Sequence, residues 1–95
     1  MSYLPLTNNP EEIFNVSIDN VIFNFRQLWN GLGFWTLDIT DADGVNLVLG
    51  VKIITKEKIL RQYPSISFDL ESNNENDPGR YDLKNFLLRI ISKNV

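Results

Sequence analysis

Residues 34–63 read FWTLDITDADGVNLVLGVKIITKEKILRQY, and this stretch decides the fold. Its first part alternates: Trp35, Leu37 and Ile39 fall on one face, with Phe34, Thr36 and Asp38 on the other, which is the period of a strand. Asp41-Ala42-Asp43-Gly44 follows as a turn, because aspartate binds nearby backbone and glycine accepts positive φ. The next run, Leu47-Val48-Leu49-Gly50-Val51-Lys52-Ile53-Ile54, is apolar on both faces near its start. That predicts a strand buried on both sides for part of its length, with a bulge or bend at Gly50. Thr55 then suits an N-cap, Ile59, Leu60 and Tyr63 share a helical face, and Pro64 stops the pattern. One short helix is therefore expected over about 55–63.

Outward toward the N-terminus, Phe14, Val16 and Ile18 alternate with Asn15 and Ser17. Asp19-Asn20 suits a two-residue hairpin turn. The return strand places Val21, Phe23 and Phe25 opposite Asn24 and Arg26. The alternation breaks at Gln27-Leu28-Trp29, predicting a bulge or a strand end, and Asn30-Gly31-Leu32-Gly33 reads as a turn. Residues 3–6, with Pro5 lacking a donor, suit an edge strand or an extended arm.

On the other side, Ile66, Phe68 and Leu70 predict a strand over 65–70. The polar segment ESNNENDPGR, residues 71–80, reads as a long flexible loop. Residues 86–91 read as a closing strand, with a helix through 81–91 as the competing reading. The expected fold is all-β: a small antiparallel β-barrel or sandwich of six to seven strands with one short helix, forming a single domain over residues 1–95.

Composition excludes more than it identifies. The 95 residues contain no histidine and no cysteine. That removes His-dependent triads, a disulfide framework and thiolate or imidazole metal sites. A net charge of −3 argues against nucleic acid, whose phosphates call for a local Lys/Arg excess. Lys52, Lys56, Lys58 and Arg61 form the one basic cluster, with Glu57 inside it, and read as a solvated helix face. No apolar run approaches the roughly 20 residues that span a bilayer, and no secretory leader is readable at the N-terminus. The chain is expected to be soluble, cytoplasmic when made, and free of membrane and cofactor.

The acids tempt but do not assemble. A calcium loop with Gly44 at its sixth position would begin at Ile39 and end at Gly50, neither of which supplies a carboxylate. Asp38, Asp41 and Asp43 lie on or beside an exposed turn, with no sign of the apolar cleft that a catalytic acid needs. Gly31-Leu32-Gly33 lacks the Lys-Ser/Thr and the following helix of a phosphate loop. Trp29 and Trp35 read as core or interface anchors. No catalytic, metal or cofactor-binding residue is expected, and no small-molecule ligand.

In this stretch the sequence resembles the phage baseplate plug family, first named for a cyanophage tail. The resemblance rests on Trp35-Thr36-Leu37-Asp38-Ile39, Asp41-Ala42-Asp43-Gly44, the run from Leu47 to Thr55, and Leu60-Arg61-Gln62-Tyr63. The preceding hairpin, Asp77-Pro78 and Asp82-Leu83 extend it over nearly the whole chain. Asp19-Asn20 stands where the family often has Asn-Gly, Val45-Asn46 where it often has Asn-Pro, and the Asn-rich loop before Pro78 is expanded.

The resemblance implies a non-enzymatic structural component of a phage or prophage contractile tail baseplate, docking on the central hub beneath the tail tube. Its partners would be the hub and other tail proteins, its place the virion, and its assembly the host cytoplasm. Tyr3, Leu4, Trp29 and Trp35 are the interface candidates, as apolar groups near expected edges or strand ends. The alternatives are a free-standing β-barrel module binding an oligonucleotide or a carbohydrate, and a small carboxylate hydrolase.

Overall fold

The computed structural model describes residues 2–93. It contains two antiparallel sheets and one 3-10 turn, with no α-helix among the described residues. The first sheet runs in sequence order through β1 (Glu11–Ile18), β2 (Val21–Asn30), β3 (Phe34–Asp41) and β4 (Asn46–Lys52). The second pairs β5 (Phe68–Glu71) with β6 (Arg89–Ser92).

The β1–β2 hairpin turns where expected. Asp19 and Asn20 take φ of 53° and 68°, the paired positive angles whose twist matches that of the flanking strands. Ile18 therefore faces Val21, and the register holds back to Glu11 opposite Leu28. Phe14 stacks on Phe25 across this pair with ring centroids 5.5 Å apart.

No bulge interrupts β2. Its pairing with β3 runs in step from Phe23↔Asp41 to Asn30↔Phe34. Phe23, Phe25, Gln27 and Trp29 occupy one face, so the broken alternation reflects a polar residue at a core position. Gln27 is fully buried and fully bonded. Its Oε1 accepts from the Thr7 amide at 3.0 Å, and its Nε2 donates to the carbonyls of Thr7 and Asn9 at 2.9 and 2.8 Å. A buried amide is tolerated because its donors and acceptor are all engaged.

At β3–β4 the bulge expected at Gly50 is present. Leu37 pairs with Val51 and Ile39 with Val48, so Leu49 and Gly50 together oppose Asp38. Gly50 takes φ 71°, and its amide donates to Asp38 Oδ1 at 2.6 Å. The bulge turns Leu49 outward to 63% exposure, so β4 is not buried on both faces.

The helix expected over 55–63 does not form. Its donors serve the second sheet instead: Lys56 N–H donates to Ser72 O, and Ile59 N–H to Leu70 O. The Leu60 amide donates to the buried carboxylate of Asp69 at 2.8 Å. Lys56 has φ 61°, outside the helical region. What remains is a pair of tight turns, Arg61 N–H to Lys58 O and Tyr63 N–H to Leu60 O. The apolar reading holds, since Ile59 and Leu60 are buried.

The strand expected over 65–70 is shorter and begins at Phe68. The closing segment is neither helix nor strand throughout 81–91. Leu83–Asn85 form the 3-10 turn, and β6 begins at Arg89. Of the expected loop 71–80, Glu71 ends β5 and residues 72–80 are irregular but pinned rather than free. Asp77 Oδ1 accepts from the Thr55 amide at 2.8 Å, and Gly79 O accepts from Trp35 Nε1 at 2.7 Å.

The sheets face each other without closing into a barrel, so the architecture is sandwich-like. Phe68 meets Phe23 edge-on at 5.0 Å and Phe25 at 6.4 Å. Trp35, Leu37, Ile39 and Val48 from one sheet, Phe68 and Leu70 from the other, and Leu60, Leu83 and Leu88 between them fill a single core. The N-terminal segment is an extended arm: Tyr3 bridges Arg89, and the Leu4 amide donates to Leu88 O at 3.0 Å.

Candidate functional site

The acidic side chains hold backbone in place. Asp41 Oδ1 accepts from the amides of Asp43 and Val45, each at 2.9 Å, which closes the turn at Gly44. Asp38 braces the bulge at Gly50 and lies 3.6 Å from Arg26, which also pairs with Glu11 at 2.6 Å. Asp69 Oδ1 is shared by the amides of Leu60 and Leu70 at 2.8 and 2.7 Å. No group of three or more acids that could hold a metal ion occurs among the described residues. A carboxylate that already accepts short amide bonds is occupied in structure, so these three offer no converging acid and base.

Three of the four residues of the basic cluster, Lys52, Lys58 and Arg61, line an open groove of about 310 Å³ between β4 and the following turns, around Val51, Ile54 and Ile59; Lys56 does not. Glu57 sits on the same wall. Lys52 lies 4.9 Å from the Phe34 ring centroid. An oligonucleotide surface sets exposed aromatics along a basic track, but the more exposed rings here, Tyr3 and Tyr81, are not among the residues lining this groove.

The four interface candidates divide in two. Trp35 is fully buried, with the Arg80 guanidinium 5.8 Å from its ring, and Leu4 is 4% exposed. Both are core in this chain. Trp29 is half-buried and meets Trp35 edge-on at 5.3 Å. Tyr3 is 47% exposed and bridges β6. Trp29 and Trp35 come together in space; Tyr3 and Leu4 belong to the arm.

Besides Tyr3, exposed apolar groups lie on residues outside the four candidates. Ile13 is 68% exposed, and Val21, Ile22, Val45 and Leu49 are also outward. Ile13, Arg26, Asp38 and Leu49 line a shallow depression of about 240 Å³ on the outer face of the four-stranded sheet. Ile13 carried a readable signal: it is apolar in the phase opposite to Phe14, Val16 and Ile18, on the face given to Asn15 and Ser17.

Sheet edges differ as much as faces. The β6 edge is met by the N-terminal arm, with Ile90 N–H donating to Ser2 O at 2.9 Å. The β5 edge is met by the turn segment through Ile59 N–H to Leu70 O. β4 is bent by its bulge. β1 runs for eight residues without a register shift, with no strand on its outer side among the described residues.

A family model described as cyanophage baseplate Pam3 plug gp18 matches residues 1–93. No curated protein matches the chain.

Proposed function

We propose, from the premise that the chain belongs to the cyanophage baseplate plug family, that it is a structural component of a phage or prophage contractile tail. In this reading residues 1–95 act as one domain that docks on the central hub beneath the tail tube, within the virion, after assembly in the host cytoplasm. Its work is binding without turnover. The family match over residues 1–93 carries this reading. The acids support it, since Asp38, Asp41 and Asp69 each accept backbone amides.

Quantitative mass spectrometry of purified particles, from a phage or prophage that carries this gene, tests the role. The expected result is the chain at a fixed low copy number relative to the hub, in tails as well as in whole particles. Mature particles with normal tails and no trace of the chain would sink it.

A further inference from the structure

The outer edge of β1 has open backbone hydrogen-bonding groups, and their pattern names what they can bind. The hairpin turn at Asp19-Asn20 makes Ile18 and Val21 its closing pair. In an antiparallel ladder bonded pairs alternate, so Val16, Phe14 and Glu12 also point their N–H and C=O groups at β2. The bond from Trp29 N–H to Pro10 O at 2.7 Å continues that even-numbered series. Glu11, Ile13, Asn15 and Ser17 therefore turn their backbone groups outward. All four are exposed, and their amides and carbonyls meet no partner among the described residues.

Folded proteins blunt such edges with lysine, proline, bulges or covering segments. Three edges of this molecule are treated in those ways. β1 is not: it holds no lysine, no proline and no register shift along its eight residues. Its inward row is incompletely covered as well. Phe14 and Val16 pack against the core but remain half-buried, leaving apolar surface beside the open amides.

We infer that β1 is the docking edge of this chain, taking an extended strand of a different tail protein by backbone pairing. Such a strand would carry apolar residues at alternate positions, to continue the Phe14–Val16 row, and lysine or arginine on the rest. The charge follows from the sequence around the edge. Residues 1–25 contain Glu11, Glu12 and Asp19 and no lysine or arginine. Arg26 on the neighbouring strand pairs with Glu11, which leaves Glu12 and Asp19 as the acids at this edge without an ion pair among the described residues.

The same fact argues against a second copy. Antiparallel β1 pairing of two copies would set the Glu11–Glu12 end of each strand toward the Asp19 end of the other, with no lysine in either strand, and like charges across strands destabilise. Peptide capture at a sheet edge takes its affinity from main-chain bonds and its specificity from alternate side chains.

The inference rests on the proposed tail role, and one experiment separates their failures. Residue-resolved hydrogen exchange is measured on the free chain and on the chain within purified particles. The amides of Ile13, Asn15 and Ser17 are expected to exchange freely in the free chain and at least about 100-fold more slowly in particles, as pairing removes their solvent access. Asn15→Pro deletes one outward donor without touching the β1–β2 ladder, and Ile13→Lys sets a cation against the basic strand. Both variants are expected to stay folded by circular dichroism and to enter particles at least about tenfold less than wild type.

Chain present in particles with these amides exchanging as in the free chain overturns the edge assignment alone. Variants that enter particles like wild type do the same. A dimer of the isolated chain abolished by Asn15→Pro would assign the edge to a second copy and overturn it too. Absence of the chain from particles removes the tail role and the edge assignment together.

Discussion

The four-stranded sheet and the rest of the chain are built by different kinds of bond. From Glu11 to Lys52 the backbone pairs with itself through consecutive hairpins. From Ile53 to Lys93 strand pairing among the described residues consists of β5 with β6 and the bridge of Arg89 to Tyr3, and side chains and turns do much of the holding. Asp69 carries two amides, Asp77 holds Thr55, and Lys93 Nζ donates to the carbonyls of Leu60 and Tyr63 at 2.8 and 2.7 Å. A ladder loses little when one side chain changes, because its bonds are main-chain. A pinned segment loses several bonds with one carboxylate.

The largest effect is expected where the two regions meet. Trp35 stands on β3 with its ring fully buried, and its indole N–H reaches Gly79 O at 2.7 Å. Trp35→Ala should destabilise by about 3–5 kcal/mol, read as a shifted urea midpoint. Asp69→Ala comes next, at about 1.5–3 kcal/mol, because charged hydrogen bonds are lost and two buried amides are orphaned. Retained stability in that variant would break the contrast, since the second region would then not depend on its side-chain pins.

Gln27→Leu sharpens the contrast from inside the ladder. It leaves Thr7 and Asn9 without their buried partner, at a cost of about 1–3 kcal/mol. Hydrogen exchange should locate the loosening at the N-terminal arm, with β2–β3 still protected. Gly50→Ala meets open space around its Cβ but keeps φ at +71°, costing about 1–2 kcal/mol from backbone strain alone. Asn15→Pro should change the free chain least, by under about 0.5 kcal/mol, because an outward edge N–H makes no ladder bond.

The same division explains what could be read from the sequence. The first hairpin was legible because its turn residues and its alternation agree, and Gly50 announced its bulge. Gln27 hid the continuity of β2, because a buried amide looks like a break until its partners, Thr7 and Asn9, are known. The 55–63 segment had a helix's apolar spacing and cap, but its amides are taken by Ser72, Leu70 and Asp69, residues distant in sequence. Periodicity reports which side chains are buried, and it is silent on which distant acceptor claims a donor. Trp35 was read as a core or an interface anchor and lies in the core, while Leu4, read as part of an edge strand or arm, is drawn inside by the bond of its amide to Leu88 O. The open β1 edge left only Ile13 as its trace.

Docking through β1 within the tail is visible in a cryo-electron microscopy map of the assembled baseplate, resolved well enough to trace strands. The expected map holds this chain in the tail, with a strand of another protein beside residues 11–17 and inter-chain N···O distances of about 2.9 Å. A tail without the chain, or a docked chain whose β1 edge faces solvent, would contradict it.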